Sequence, residues 1–451
     1  MCTTLSQVQV PVKLGMLQEK VAVRPFPVGT PSRSLAQLVA SQRVQMSEDS
    51  AFYMVDLGRV VVQWREWHRL LPNVEVFYAV KCNDDPLLLQ LMANLGAAFD
   101  CASKHEIDQV LALNGVSAEQ IIYANPCKKR SYIGHAKHRN VQMMTFDNEG
   151  ELHKIKDIFP TAQLVLRLRV ASDASAQCPL NIKFGCDPAC AAGLLQTAFS
   201  LGLNVVGVSF HVGSGCRDAA AYSVAIAQSR QLFDLAQSLG HPMQLLDIGG
   251  GFPGFDCQLI SFEQIASVIR DSLEQQFPVN SGVRVIAEPG RYFAANAYTL
   301  CCNIIGKTPV LASRITENES DANFQGFMYY IDDGLYGSFN CILYDHSNPE
   351  PEPLFENGRH HSWATIWGPT CDGFDQVIVK CRLPELQEGE WLIFENMGAY
   401  TAAAGSQFNG FPKPEMVYFA NDDMWDFVKA AACVPVRQLS DSESSSNSDT
   451  N

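Results

Sequence analysis

Eight short apolar runs, separated by segments with helical spacing, constrain the fold of this 451-residue chain more than any other feature. Each run is too short for a core helix and is bounded by turn residues, so each predicts a buried strand. Strands that alternate with helices over roughly 220 residues predict a parallel (β/α)8 barrel. The eight runs are residues 76–80, 97–101, 121–124, 143–146, 164–168, 205–212, 245–248 and 283–287.

The pattern changes after the eighth run. Strand-like runs without helical spacing follow at residues 298–305, 326–331, 377–381 and 391–394. They predict a second, mainly β domain, which strands from the N-terminal region complete. We therefore divide the chain into N-terminal strands of the β domain, the barrel, the rest of the β domain and a disordered acidic tail rich in serine, at residues 1–55, 56–296, 297–436 and 437–451.

Charge and cysteine content narrow the class of partner and the compartment. The net charge of −15 argues against nucleic acid or an anionic membrane as a partner and suits a small cationic substrate. Fifteen cysteines in a chain of this length, without a signal-peptide pattern, indicate reduced thiols and predict a cytoplasmic protein. Cys186 and Cys190 have no second pair of ligands nearby, so we predict no metal site.

A polar residue stands at or near the end of every predicted barrel strand. The carboxyl ends of barrel strands meet on one face, which is where barrel enzymes keep their active sites. A single polar residue at such a place has an ordinary structural explanation, but a complete ring of them predicts a site. The ring consists of Lys81, Asp100, Asn125, Asp147, Arg167, His211, Asp247 and Glu288.

Lys81 ends the first of these strands. A lone lysine at a strand end is usually a surface residue. The alternative is an amine with a lowered pKa that forms a Schiff base with an aldehyde cofactor. The rest of the ring decides between these interpretations.

Three consecutive glycines follow the seventh predicted strand, namely Gly249, Gly250 and Gly251. Standing alone, such a run would equally suit a hinge. Arg291, after the eighth strand, offers a guanidinium to an anion held by the glycines, and Glu288 lies just before it. An anion site, an acid and Lys81 together predict pyridoxal 5'-phosphate, with its phosphate on the glycines and Arg291, its ring nitrogen on Glu288 and its aldehyde on Lys81.

His211 follows the sixth strand inside an apolar run. Most such histidines are core residues with satisfied hydrogen bonds. Because the same turn supplies Ser214 and two glycines, we expect a ring stacked over the cofactor with Ser214 on its phosphate.

Long, ordered motifs over residues 50–430 resemble the eukaryotic ornithine decarboxylases. The resemblance implies a barrel and β domain of the alanine-racemase type and decarboxylation of L-ornithine to putrescine and CO2, the entry step of polyamine biosynthesis. The motifs include Ala79-Val80-Lys81-Cys82-Asn83, Glu288-Pro289-Gly290-Arg291, Tyr336-Gly337-Ser338-Phe339-Asn340, Tyr344-Asp345-His346 and Trp367-Gly368-Pro369-Thr370-Cys371-Asp372-Gly373.

The resemblance also implies roles for individual residues. Catalysis would fall to Lys81, His211 and Cys371, with Cys371 contributed to the site of the other chain of a homodimer. Substrate binding would fall to Tyr344, Asp345 and Asp372, and a bridge between the chains to Lys183 and Asp375. The implied cofactor ligands are Lys81, Asp100, Glu106, Arg167, His211, Ser214, Gly249, Gly250, Gly251, Glu288, Gly290, Arg291 and Tyr400.

Several alternatives stay open at this level. Two acids, Asp345 and Asp372, suit the distal ammonium of ornithine, but a modest change in the pocket would suit lysine or arginine. Cys371 could be an unreactive thiol. A non-catalytic homologue that binds an antizyme-like inhibitor protein is the non-enzyme alternative; such proteins lose cofactor ligands that this chain keeps.

Overall fold

The computed structural model describes residues 8–14, 17–170, 176–178, 182–256, 259–425 and 428, so the predicted tail lies outside the described residues. Within these ranges no helix is both long and apolar enough to cross a membrane. The strands are β1 (Val8–Leu14), β2 (Leu17–Phe26), β3 (Phe52–Asp56), β4 (Glu75–Ala79), β5 (Ala98–Cys101), β6 (Ile121–Tyr123), β7 (Met143–Phe146), β8 (Gln163–Arg167), β9 (Ala176–Cys178), β10 (Asn204–Ser209), β11 (Ser214–Cys216), β12 (Leu245–Asp247), β13 (Arg284–Ala287), β14 (Tyr298–Leu311), β15 (Gln325–Ile331), β16 (Glu352–Pro353), β17 (His361–Trp367), β18 (Gln376–Pro384), β19 (Trp391–Phe394) and β20 (Glu415–Asn421). The α-helices are α1 (Ser32–Gln45), α2 (Leu57–Leu70), α3 (Pro86–Leu95), α4 (Lys104–Leu111), α5 (Arg130–His138), α6 (Glu149–Ile158), α7 (Ala191–Ser200), α8 (Ala220–Ser238), α9 (Phe262–Gln276), α10 (Arg291–Ala294), α11 (Ser313–Thr316) and α12 (Cys341–Tyr344).

The eight predicted strands close into a parallel barrel in the order β10-β12-β13-β4-β5-β6-β7-β8. The barrel prediction is therefore confirmed. The sixth run is shorter than expected, because β10 ends at Ser209 and His211 lies in the loop that follows. All the other strand ends fall within one residue of the predicted run.

One apolar layer fills the barrel, with one side chain from each strand. It consists of Phe77, Ala98, Ile122, Met143, Val165, Val206, Leu245 and Ile286. Successive side chains of a strand point to opposite faces, so the residue two places further along points into the barrel again, one layer higher. That residue is Asp100 on β5, Arg167 on β8, Asp247 on β12 and Glu288 directly after β13. The period of the strands thus places four charged side chains at the mouth of the barrel; we call these four residues the mouth layer.

The second part of the structure is a ten-stranded mixed sheet. Its main path is β1-β2-β20-β3-β14-β15-β17-β18, with β19 and β16 branching from β14. The N-terminal strands contribute to it, as the sequence predicted. Three of its strands, β16, β17 and β20, and the helix α1 were not predicted.

Trp67 on α2 connects the helical shell to the loops at the barrel mouth. Its indole is fully buried and its ring centroid lies 4.8 Å from that of Phe252, which directly follows the three glycines. Phe262 stacks on the same indole at 5.4 Å, and Tyr292 meets its edge at 5.6 Å. This aromatic cluster supports the glycine loop from below.

Candidate active site

Lys81 and Asp100 form an ion pair at the barrel mouth. The carboxylate is fully buried, whereas the lysine side chain keeps 39% of its surface accessible. Burial lowers the pKa of Lys81, but the charges of Asp100 and Glu288 outweigh it and raise the pKa above its ordinary value. The expected amine with a lowered pKa is therefore wrong for this structure, because an acid from the neighbouring strand holds the lysine as an ammonium.

Asp247 and Glu288 are a second buried pair in the mouth layer. Asp247 accepts a hydrogen bond from the backbone N–H of Gly249 at 2.8 Å through Oδ1. Burial raises the pKa of Asp247 to about 7. Burial and the adjacent charge of Asp247 also raise the pKa of Glu288 well above its usual range. Asp247 Oδ2 and Glu288 Oε1 find no hydrogen-bond partner among the described residues, so the two acids can share a proton.

His211 is held as a neutral imidazole. Its Nδ1 accepts a hydrogen bond from the N–H of Gly213 at 3.0 Å. Burial, with the charges of Arg167 and Lys81, keeps the pKa of His211 well below its usual value. The single ring proton is therefore on Nε2.

The three glycines lie in a space that has no room for a side chain. A Cβ at Gly249 would lie 2.0 Å from the carbonyl oxygen of Phe210, and one at Gly250 would lie 2.7 Å from that of Glu288. Gly251 adopts φ +112°, and its Cβ would lie 2.6 Å from the carbonyl oxygen of Gly213. The bare backbone is required here, as it is where a backbone approaches a phosphate closely.

Arg291 joins several predicted phosphate ligands. Its Nη2 donates to Ser214 Oγ at 3.0 Å, and its guanidinium lies 5.2 Å from the ring centroid of Tyr400. The Tyr400 N–H donates to the carbonyl oxygen of Cys82, next to Lys81, at 2.9 Å. Gly290 permits this packing, because a Cβ there would lie 2.6 Å from that of Cys82.

Asp345 is paired with Arg291, which the sequence did not predict. The carboxylate is 3% exposed and also accepts from Ser347 Oγ at 2.9 Å and from Gln177 Nε2 at 3.0 Å. Gln177 was missed because only the pairing of β9 with β11 brings it here. The structure thus places a predicted substrate ligand against a predicted phosphate ligand, while the neighbouring Tyr344 is 69% exposed.

Glu106 supports the loop that follows β5. Its Oε2 accepts from the N–H of Ala102 at 2.6 Å. Burial raises the pKa of Glu106 to about 7. Glu106 therefore fixes the chain just after Asp100, in agreement with a supporting role.

Cys371 and Asp372 form a second group, on an exposed loop between β17 and β18. The Tyr336 hydroxyl donates to Asp372 Oδ2, and the N–H of Phe374 donates to Oδ1 at 3.0 Å. Tyr336 stood in a motif but had no role assigned from the sequence. Hydrogen bonds thus join Asp372 to loops that connect strands of the sheet, whereas Asp345 is joined to Arg291 and Gln177.

The predicted bridging pair is separated in the single chain. Lys183 is exposed, with its ammonium 5.0 Å from the ring centroid of Phe184. Asp375 is 1% exposed. The bridge between two chains stays a prediction.

The barrel mouth combines a lysine paired with an acid, a buried acid suited to a ring nitrogen, and a glycine and arginine site suited to a phosphate. This combination defines a barrel enzyme dependent on pyridoxal phosphate. Residues 57–295 match the family model described as pyridoxal-dependent decarboxylase, pyridoxal binding domain. The chain belongs to this family of decarboxylases.

Three relatives specify the similarity. Ornithine decarboxylase of Caenorhabditis elegans is 51% identical over 87% of this chain and 92% of its own length. Antizyme inhibitor 2 of Xenopus laevis is 45% identical, over 88% of this chain and 87% of its own. The crystal structure of the Paramecium bursaria Chlorella virus arginine decarboxylase bound to agmatine has a TM-score of 0.78 at 34% identity, covering 86% of this chain and all of that one.

Proposed function

We propose that this protein decarboxylates L-ornithine to putrescine and CO2 with pyridoxal 5'-phosphate as its cofactor, the entry step of polyamine biosynthesis. The observation that carries the proposal is the pairing of Lys81 with Asp100 of the mouth layer, close enough to Glu288 to feel its charge. The ornithine decarboxylases among its relatives, at about half identity over most of the chain, support the choice of substrate.

The residues present fit this cofactor. Glu288 Oε1 is buried without a hydrogen-bond partner among the described residues, as expected of an atom that meets a ring nitrogen. The backbone of the three glycines, with Ser214 and Arg291, provides donors for a phosphate. When bound, pyridoxal phosphate supplies an aldehyde that condenses with amines and a ring that stabilises negative charge at the substrate α-carbon.

Lys81 must lose a proton before its amine can attack a carbonyl carbon. Asp100 is the acceptor in direct contact with it. Burial raises the pKa of Asp100, so this carboxylate takes up a proton more readily than an exposed one. We assign to Lys81 the binding of the cofactor and the release of product, and to Asp100 the storage of the proton that Lys81 gives up.

Glu288, His211 and Arg167 set the electrostatics of the mouth. Burial and the charge of Asp247 raise the pKa of Glu288, so this acid takes up a proton that a ring nitrogen can share. His211 remains neutral and keeps its ring fixed through Nδ1, so that it presents an apolar face without adding charge. Arg167 is 8% exposed and lies close enough to Asp100 and Glu288 to offset their charge.

The distal ammonium of ornithine requires an acid, and the chain offers two. Asp345 is partly neutralised by Arg291, whereas Asp372 is exposed and its pKa is lowered by the hydrogen bond from Tyr336. We propose that two copies of the chain pair, so that the loop with Cys371 and Asp372 completes the site of the other copy. Cys371 would then deliver a proton from its thiol to the α-carbon after CO2 leaves.

Exposed apolar side chains support such a pairing. Phe374, in the same loop, is 59% exposed, and Tyr344 is 69% exposed. Large apolar groups clustered around an exposed polar loop are typical of a surface that another chain covers. Sedimentation of the purified protein would reveal the dimer.

CO2 release from ornithine, arginine and lysine, with and without pyridoxal phosphate, tests the function. We expect ornithine to be the preferred substrate, and Lys81→Ala and Cys371→Ala to lose activity. Full putrescine formation by either variant would show the assignment to be wrong. Borohydride reduction of the holoenzyme should leave the cofactor attached to Lys81, as peptide mass spectrometry can check.

Two other functions are weaker candidates. The likeness to an arginine decarboxylase favours testing arginine as a substrate. The likeness to antizyme inhibitor 2 favours a non-catalytic role, but the chain keeps every residue that we predict to bind the cofactor, which argues against that role. That likeness also leads us to propose that an antizyme-type protein binds this chain, which titration with a purified antizyme would test.

We also propose a cytoplasmic location and the division of the chain at residues 55, 296 and 436. The cysteines that the structure describes are all free thiols, in agreement with a reducing compartment. Cell fractionation tests the location, and limited proteolysis tests the boundaries.

A further inference from the structure

The buried carboxylate of Asp375 lies beneath the two loops that carry Tyr336, Cys371 and Asp372. Asp375 directly precedes β18 and is 1% exposed. One of the two loops follows β15 and carries Tyr336, and the other follows β17 and carries Cys371 and Asp372. A buried carboxylate that has no ion pair among the described residues needs hydrogen bonds that compensate for its lost hydration.

All of these hydrogen bonds come from the two loops. Asp375 Oδ1 accepts from the N–H of Leu335 at 2.7 Å. Its Oδ2 accepts from the N–H and the hydroxyl of Thr370, at 3.1 and 2.7 Å. The backbone closes the loop as well, because the N–H of Gly368 donates to the carbonyl oxygen of Asp375 at 2.8 Å, and Asp375 N–H donates to that of Asp372 at 3.1 Å.

Two glycines allow the loops to pass this close. A Cβ at Gly334 or at Gly368 would lie 2.4 Å from an oxygen of the Asp375 carboxylate. Neither glycine has a positive φ, so the lack of space, and not the backbone angle, excludes a side chain here. The carboxylate and the two loop backbones are therefore fitted to each other.

Thr370 connects Asp375 to the loop that carries Cys371 and Asp372. Its hydroxyl donates to Asp375 and accepts from the N–H of Asp372 at 3.4 Å, so Cys371 is held between two anchored residues. From the other loop, the hydroxyl of Tyr336 reaches the Asp372 carboxylate. Asp375 thus anchors both sides of this arrangement, directly through Thr370 and in the other loop through Leu335, the residue before Tyr336.

We propose that Asp375 is a positioning residue, which through Thr370 sets the place of the Cys371 thiol and the Asp372 carboxylate from within its own chain. This inference rests on the proposed function, in which Cys371 delivers a proton to the substrate. It adds to the bridge to Lys183 of another chain that the sequence suggested, because the three donors come from the same chain, while a carboxylate has about four acceptor sites. A displacement of a catalytic group by about 1 Å costs on the order of 10²-fold in rate.

The test compares variants that separate these two roles. Asp375→Asn keeps the shape but brings an NH2 group against the donors of Leu335 or Thr370, so it should lower kcat roughly 10²-fold. Thr370→Val removes the hydroxyl and should lower kcat about 10-fold or more, whereas Thr370→Ser keeps it and should restore most of the wild-type kcat. Lys183→Met separates the two roles, because it would remove a bridge between the chains while leaving the hydrogen bonds of Asp375 within its own chain intact.

The affinity for pyridoxal phosphate should not change in any of these variants, because the barrel mouth is untouched. If Asp375→Asn retained the wild-type kcat, or if Thr370→Ser were as impaired as Thr370→Val, the positioning role would be wrong. If Lys183→Met and Asp375→Asn lost equal activity and both dissociated, Asp375 would act between chains. Because Asp375→Asn could fail to fold, the two Thr370 variants decide the proposal by themselves.

A second measurement does not depend on the proposed reaction. The rate at which iodoacetamide alkylates Cys371, followed peptide by peptide, reports the surroundings of this thiol. We expect at least a threefold change in Thr370→Val and none in Thr370→Ser, with the exposed Cys127 as an internal control. Wild-type protein that released no CO2 from ornithine would refute the proposed function, while the alkylation rates would still decide whether Asp375 positions the loop.

Discussion

Gly250→Ala should weaken the binding of pyridoxal phosphate without unfolding the barrel. Gly250 is the middle glycine of the loop after β12 and, unlike Gly249 and Gly251, has no positive φ. An alanine is therefore free of backbone strain at this position. The free-energy cost of the substitution therefore comes from the space that the new methyl group needs.

That cost follows from two contacts. The methyl carbon would lie 2.7 Å from the carbonyl oxygen of Glu288 and 2.8 Å from His211 Nε2, whereas ordinary contacts begin at 3.4 Å. The glycine loop must therefore move by about 0.7 Å away from both residues. Overpacking of this kind costs about 1–3 kcal/mol, which corresponds to a roughly 5- to 150-fold weaker affinity if the cofactor must reverse the shift.

The assay is a titration of the apoenzyme with pyridoxal phosphate, followed by absorbance, together with thermal unfolding of the apoenzyme. Gly193→Ala is the matched control, because Gly193 lies inside α7 and nothing stands within 4 Å of the place that its new methyl group would take. Alanine is the better helix former, so the control should bind normally and gain up to about 1 kcal/mol in stability. A Gly250→Ala protein with both wild-type affinity and wild-type thermal stability would refute the packing argument.

Three further predictions concern buried or exposed polar groups. Lys128→Met should lower the free energy of unfolding by about 1–3 kcal/mol in urea titrations, because the buried Glu151 loses its 2.9 Å ion pair with this lysine but keeps the one with Lys154. A loss below about 1 kcal/mol would contradict this. Asp332→Asn should flatten the pH dependence of the free energy of unfolding. Burial raises the folded-state pKa of Asp332 to about 8, so its contribution to stability is present at low pH and is lost between about pH 4 and pH 8, by up to about 1.4 kcal/mol per pH unit. An unchanged slope in the variant would exclude Asp332 as the source of this dependence. Tyr336→Phe removes the hydrogen bond that lowers the pKa of Asp372, so the acid limb of the kcat/KM profile for ornithine should move to higher pH, and an unmoved limb would separate Asp372 from substrate binding.

The barrel could be predicted because each of its strands is short, apolar and bounded by turns. Residues 143–146 were predicted with the bounds that β7 has. The strand β17 was not predicted because it begins with the polar residues His361 and Ser362 and is buried only in its second half. The strand β20 lies after a loop rich in proline, where periodicity gives no warning of a parallel partner far away in the chain.

The sequence indicated which side chains would meet at the barrel mouth, but it gave little information on their electrostatics. Lys81 was expected to have a lowered pKa from its apolar strand alone, yet the pKa depends on Asp100, which the barrel brings alongside. The pair of Arg291 and Asp345 was missed for a similar reason, since each had been assigned a ligand and their contact depends on how the sheet packs on the barrel. Likewise, only the packing against two glycines shows that Asp375 faces inward.

The position of β3 in the sheet has a consequence for synthesis of the chain. β3 lies between β14 and β20, and its partners in β20 are about 360 residues further along. At about 5–20 residues per second, a ribosome needs roughly 20–70 s to add that stretch, during which one edge of β3 has no native neighbour. The nascent chain therefore carries an apolar, unpaired strand edge through most of its translation. Slowed elongation or early release should reduce the yield of folded protein more than the stability of the finished fold would suggest.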